Sequence, residues 1–160
     1  MAVVCFGLWW VAIYGLRVAV FGNPVYTLLT ETSPELIAAI ENGGGRSEEP
    51  AEEEAAFQQH FGRSTSLQAA VLILELGLLL YLWSSETAEI LCMALLSKNL
   101  LCAALAVGLA SKQSPEETGP YKAILGLPAW VSQLDRVSSF ISGAGALVLL
   151  VLYLSKANVW

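Results

Sequence analysis

Residues 67–83 read LQAAVLILELGLLLYLW, and residues 88–110 read AEILCMALLSKNLLCAALAVGLA. Both runs are continuously apolar and do not alternate, which indicates helix rather than strand. Each approaches the ~20 residues that carry a helix across ~30 Å of hydrocarbon. The first is slightly short and needs help from its flanks or from a thinner bilayer. Only residues 84–87 separate the two runs, so they form an antiparallel hairpin. Each run carries an ionisable residue near its middle, and the charges are opposite: Glu75 and Lys98. One charge at a bilayer centre costs from about 3 to above 10 kcal/mol, so such residues face a protein interior and take a partner.

The depths of the two charges correspond. Counted from Ser85 in the turn, Glu75 lies about 15 Å down its helix and Lys98 about 20 Å down the other, at 1.5 Å per residue. Side chains lean toward the N-terminus of their own helix. Glu75 therefore leans away from the turn and Lys98 toward it, which closes the gap. An ion pair is expected if both face the bundle seam. Arg17 is a second candidate partner for Glu75, and Asp135 is placed to balance the extra positive charge. Asn99 projects roughly 100° from Lys98 and is expected to hydrogen-bond to a different helix.

Two further apolar runs occupy residues 3–21 and 137–155. The fold class is therefore all-α: a four-helix transmembrane bundle with short amphipathic interfacial helices, one polytopic membrane domain over residues 1–160. Composition agrees, with 56% hydrophobic and 14% charged residues, against about 25% charged in soluble domains. No basic segment precedes the first run, since the first Lys or Arg is Arg17. An uncleaved first helix is expected, with the mature chain beginning near Met1; an organelle transit peptide removed upstream would be hidden by this numbering.

Both long connections fall on one side of the membrane, and the termini and tight turn on the other. Ser33-Pro34-Glu35 reads as an N-cap, a first-turn proline and a dipole-favoured acid. Leu36, Ile37 and Ile40 then line one face, predicting an amphipathic helix over residues 34–42. An acidic, Gly-rich flexible loop is expected over residues 43–56. In the other connection Ser114-Pro115-Glu116-Glu117 reads as a capping box. Gly119-Pro120 reads as a helix break, and Pro128 as the opening of an interfacial helix over residues 129–136. Tyr121, Trp130, Trp9, Trp10, Trp83 and Trp160 are candidate interfacial anchors. The loop side holds Arg46, Arg63, Lys112, Lys122 and Arg136, and the other side Lys156 alone. The long loops are thus expected on the cytosolic, stromal or matrix side.

Small residues supply a second packing signal. Ser138 and Ser142, and Ser139 and Gly143, are spaced by four; Gly145 follows in the same span, and Ala104 and Gly108 lie in the third. Such faces let helices approach closely, within one chain or with a partner. Cys5, Cys92 and Cys102 sit in apolar runs and read as packing residues, and a single histidine excludes a His-based metal cluster. His60 reads as a solvated loop-edge histidine. The net charge of −6 argues against nucleic acid as a partner. Glu41-Asn42-Gly43 followed by Arg46 resembles an antenna-helix motif, but it lies in a polar loop with two extra glycines.

The central hairpin resembles the DoxX-like four-helix membrane proteins. An acid is followed by Leu and a GLLL run (Glu75, Leu76 and residues 77–80), then a short turn and an apolar third span. The resemblance implies a fold more than an activity. The first span departs from it, since Arg17 is followed by Val-Ala-Val-Phe where the family has glycine-lysine, and no residue roles carry over.

Two readings of function stay open. In the first, the chain is a non-catalytic accessory subunit or assembly factor of a larger membrane complex, for example an energy-converting complex of a mitochondrion or plastid. Its Glu75/Lys98 pair is then a polar clamp. In the second, it is a small carrier or membrane-embedded enzyme handling a proton, quinone, sterol or lipid at that pair. Pigment binding in an antenna assembly is a third possibility. Expected partners are membrane lipids and other membrane-protein subunits; lipid, quinone or pigment are the candidate bound groups.

Overall fold

The computed structural model describes residues 1–41, 52–110 and 119–157, all helical or connecting with no strand among them. Among the described residues seven helices run in order: α1 (Ala2–Phe21), α2 (Pro24–Glu31), α3 (Pro34–Glu41), α4 (Glu52–Ser84), α5 (Glu89–Ala110), α6 (Pro120–Leu125) and α7 (Ala129–Ala157). Four of these segments are long and apolar enough to cross a membrane: α1 continuing into α2, α4, α5 and α7. The protein is a multi-pass integral membrane four-helix bundle.

The four long helices form a ring in which α1 touches α4 and α7, and α5 touches the same two. Their shared core joins Leu8 and Val11 of α1, Leu78 and Leu82 of α4, Cys92 and Leu95 of α5, and Ala146 and Leu149 of α7. The closest pair is α1 with α7. A Cβ on Gly15 would fall 2.6 Å from the Ser139 carbonyl oxygen, and one on Gly143 would fall 2.9 Å from the Leu16 backbone nitrogen. Glycine at both positions lets the two backbones meet.

The α4–α5 turn is tight enough to hold Glu86 and Ala88 at φ 54, a left-handed conformation rare for residues with side chains. Lys156, near the end of α7, donates to the Ser85 carbonyl at 3.0 Å and the Thr87 hydroxyl at 3.3 Å. The turn and the end of α7 therefore share one face of the bundle.

The opposite end carries a second apolar cluster of Val25, Leu29, Ile37 and Phe57, packed against Phe61, Tyr121 and Ile124. It gathers α2, α3, α6 and the start of α4. Tyr121 meets the rings of Phe57 and Phe61 edge-on at 5.5 and 5.0 Å, so it is a packing residue rather than a lipid anchor. Trp9, Trp10, Trp83 and Trp130 are exposed on the long helices, and Trp160 lies outside the described residues.

Several boundaries differ from those read in the sequence. Residues 52–56 form the first turn of α4 instead of loop. Glu52, Glu53 and Glu54 favour that helix N-terminus, and Phe57 and Phe61, one turn apart, anchor it to the cluster. Residues 43–51, like the proposed capping box at 114–117, fall outside the described residues. Gly119-Pro120 opens α6 rather than breaking a helix, with Pro at a first-turn position that needs no N–H. Residues 129–136 run on into the fourth span as the beginning of one continuous helix, α7. Helix α2 was not expected, although Asn23-Pro24 is a legible start: the Asn23 side chain accepts from the Val25 N–H at 2.9 Å.

Half-buried Glu41 ties α3 to α6. Its Oε1 accepts from the N–H groups of Tyr121 at 3.0 Å and Lys122 at 2.9 Å, and its Oε2 faces the Lys122 ammonium at 3.1 Å. A side chain at Gly119 would run into this carboxyl. Burial opposes the charge of Glu41, but the Lys122 backbone, the Lys122 ammonium and the Tyr121 backbone together outweigh it and hold the carboxyl below its ordinary range. A lowered carboxyl pKa stabilises the contact above the usual carboxylate range, about pH 4.3, and that contribution is lost as pH falls through the lowered value. Acidification below about pH 4 should thus speed hydrogen exchange at the Tyr121 and Lys122 amides beyond its intrinsic pH dependence, and Glu41→Gln should show the fast exchange already at neutral pH.

Candidate functional site

The core faces of three helices converge on a polar cluster at one level of the bundle. On α4 the buried positions Val71, Glu75, Leu78, Leu79 and Leu82 follow helical spacing, so Glu75 points where its apolar neighbours point. On α5 the inward stripe of Cys92 and Leu95 continues into Lys98, Asn99 and Cys102. On α7 Ser138 and Ser142 lie below Ala146 and Leu149. Glu75 is 9% exposed and Ser142 is 6% exposed.

The Lys98 Nζ stands 3.8 Å from the Glu75 Oε1. Between them sits the Ser142 hydroxyl, which accepts from the Lys98 ammonium and donates to the Glu75 Oε1 at 2.7 Å. Lys98 also donates to the Ser138 carbonyl at 3.3 Å, and Asn99 donates its amide to the Glu75 Oε1 at 3.2 Å. Lys98 therefore reaches to α7 and Asn99 to α4, and both converge on one carboxylate oxygen. Cys102 Sγ lies 3.5 Å from Ser138 Oγ. Among the described residues the Glu75 Oε2 makes no hydrogen bond. Two opposite charges joined through a hydroxyl form a path along which a proton can pass from ammonium to carboxylate, leaving both neutral.

The cluster is not sealed. Glu75, Lys98 and Asn99 line a cavity of about 340 Å³ whose other polar walls include Tyr14, Gln68, Asp135 and the serines of α7. The Tyr14 hydroxyl is buried without a hydrogen-bond partner, an arrangement that costs roughly 1–3 kcal/mol unless a bound molecule or water completes it. Asp135 accepts from the Asn23 amide at 3.0 Å, which ties the wall to the α1–α2 link. A second cavity of about 380 Å³ shares Gln68, Ala106 and Asp135 with the first and continues past Asn23 and Arg136. The polar space thus extends from mid-bundle toward the end that carries α2 and α6.

The structure separates other residues that the sequence had grouped. Arg17 makes no ion pair with Glu75; it is exposed and lines a different cavity, with Glu31 and His60. It lies off the α1 stripe of Val11, Gly15 and Val18 that faces the bundle, so a similar depth did not bring it near Glu75. Ser139 and Gly143 make the α1 crossing, and Gly145 meets the Leu95 side chain. Ser138 and Ser142 belong to the polar cluster. Ala104 and Gly108 lie on the exposed side of α5.

Three participants were missed in the sequence. Ser142 was read as a small packing residue, though its spacing of four from Ser138 placed both hydroxyls on one face. Tyr14 and Gln68 gave no signal beyond being polar groups in apolar runs. Among the described residues His, Cys, Asp and Glu nowhere gather in threes. No protein-family model matches the chain, and no curated protein or solved structure does either.

Proposed function

We propose that the protein is a small membrane carrier or binding protein whose Glu75–Ser142–Lys98 cluster holds the polar end of an amphiphile of the quinone, sterol or lipid class. The observation that carries this reading is the cavity beside the cluster, with the Tyr14 hydroxyl unpartnered in its wall. A clamp that only fixed helix register needs no such space. At about 340 Å³ the cavity is at the small end of ligand pockets. It suits a headgroup or ring system, with an apolar tail leaving between α5 and its neighbours. Glu75 and Lys98 offset one another, and the remaining Asp135 carboxylate in the wall disfavours an anionic ligand.

The test is extraction and mass spectrometry of small molecules from protein purified in mild detergent. One amphiphile is expected at near-stoichiometric level, and Tyr14→Phe should lower its retention about ten-fold, the worth of one well-made buried hydrogen bond. An unchanged lipid profile in Tyr14→Phe and Gln68→Leu would remove the basis for this reading.

A second reading, as accessory subunit or assembly factor, has its own support. Only 11% of the α5 span is buried inside the protein, against 33%, 22% and 22% for the others. Ala104 and Gly108 are exposed on it, spaced by four, a pair of small residues fit for close approach of a partner's transmembrane helix. Ala104→Trp should then release co-purifying chains while leaving the thermal unfolding midpoint unchanged. A protein that runs alone before and after the substitution argues against this role. In either reading the excess of Lys and Arg in the sequence supports an orientation with the α2, α3 and α6 end on the cytosolic, stromal or matrix side.

A further inference from the structure

Helix α1 carries a guanidinium that shares a cavity with one carboxylate, Glu31, and is not paired with it. Among the described residues Arg17 enters no ion pair and no hydrogen bond, although it lies within an apolar span. An uncompensated charge there is costly, and the long Arg stem lets the head rise toward the headgroup layer. Arg17 lies four residues before the end of α1, about 6 Å below it, within reach of the lipid phosphates.

At that level Arg17 forms part of a cavity of about 340 Å³ between α1, α2 and α4. His60 and Ser64 enter from α4, Thr27 and Glu31 from α2. Leu28 and Leu67 make the adjoining wall apolar. The cavity thus offers a forked cation, neutral donors and one carboxylate beside a surface suited to hydrocarbon. We propose that it binds the headgroup of a phospholipid that carries an ammonium, of the phosphoethanolamine kind. Arg17 takes two phosphodiester oxygens in its planar fork, and Ser64 and His60 add donors. Glu31 receives the ammonium and repels a headgroup that is purely anionic. The acyl chains leave along Leu67 into the bilayer. Tyr14 borders this cavity as well as the Glu75 cavity, but the proposal needs no ligand at Glu75.

Inorganic phosphate shares the phosphate chemistry, so the experiment separates the sources. Purified protein in detergent is titrated with phosphatidylethanolamine, phosphatidylglycerol or inorganic phosphate, and bound species are counted by native mass spectrometry. Phosphatidylethanolamine should be held about ten-fold more tightly than phosphatidylglycerol, and Arg17→Gln should weaken it by about the same factor, the scale of one charge-assisted contact. Glu31→Gln should erase the preference between the two lipids. Equal binding of both lipids to the unaltered protein overturns the proposal. So does an Arg17→Gln variant that binds phosphatidylethanolamine as before, or displacement of the lipid by millimolar inorganic phosphate. Should Arg17→Gln fail to fold, the loss or survival of lipid preference in Glu31→Gln, at an exposed site, decides alone.

Discussion

Glu75→Leu is expected to destabilise the bundle by about 3–5 kcal/mol, because it strands the Lys98 ammonium among α4, α5 and α7. What remains to Lys98 is the Ser142 hydroxyl and the Ser138 carbonyl, two neutral acceptors for a charge largely withdrawn from water. Lys98→Met should cost a similar amount, since it leaves the Glu75 carboxylate with only the Ser142 and Asn99 donors. The double variant is expected to recover most of this loss and unfold within about 1–2 kcal/mol of the unaltered protein, because an apolar pair of similar volume often replaces a buried ion pair without penalty. Reversible unfolding in mixed micelles measures all four corners of the cycle, and a coupling energy below about 0.5 kcal/mol would mean that the two charges do not support one another.

The same cycle separates a structural from a functional role. If the pair only fixes helix register, the double variant restores everything. If it holds a ligand, the double variant restores the fold but not the bound amphiphile. A folded double variant that still retains the ligand would leave the pair as a clamp and move the binding role to Tyr14, Gln68 and Asp135.

Level along the bundle was legible in the sequence, and direction around each helix was not. Continuous apolar runs gave the four spans, and counting residues from the turn placed Glu75 and Lys98 at matching levels. Arg17 is a second candidate partner for Glu75 on depth alone, and the structure does not pair them. Apart from Arg17, helix α1 is apolar on all sides, so its sequence carries no stripe to say which face turns inward; that follows from tertiary contacts, with Leu8, Val11 and Val18 buried and Gly15 meeting Gly143. Ser142 illustrates the same gap, because a small hydroxyl residue reads equally as packing and as a hydrogen-bond bridge until its neighbours are known. The loop-side cluster was hidden for another reason. Glu41 and Lys122 are 81 positions apart in the chain, and no local pattern in either segment points to the other.

Gly15→Leu should prevent the native pairing of α1 with α7, and even Gly15→Ala should cost about 1–3 kcal/mol, the range for overpacking a filled core. The reason is what the new Cβ would meet. At Gly15 it falls 2.6 Å from the Ser139 oxygen and 2.9 Å from the Gly143 nitrogen, all backbone, so a whole helix has to move. Gly143→Ala is expected to behave alike, against the Leu16 nitrogen at 2.9 Å and the Ala12 oxygen at 3.1 Å. At Gly7 and Gly145 the close atoms are instead the ends of the Leu78 and Leu95 side chains, which can turn aside, so alanine there should cost less. At Gly77 nothing lies within 4 Å, and Gly77→Ala should be neutral or stabilising by up to about 1 kcal/mol through helix propensity. Unfolding midpoints of these five alanine variants should therefore fall in three groups, with Gly15 and Gly143 lowest and Gly77 highest. A Gly15→Ala protein as stable as Gly77→Ala would show that the two backbones do not meet at this crossing, and the inward direction of α1, on which the separation of Arg17 from Glu75 depends, would have to be reassigned.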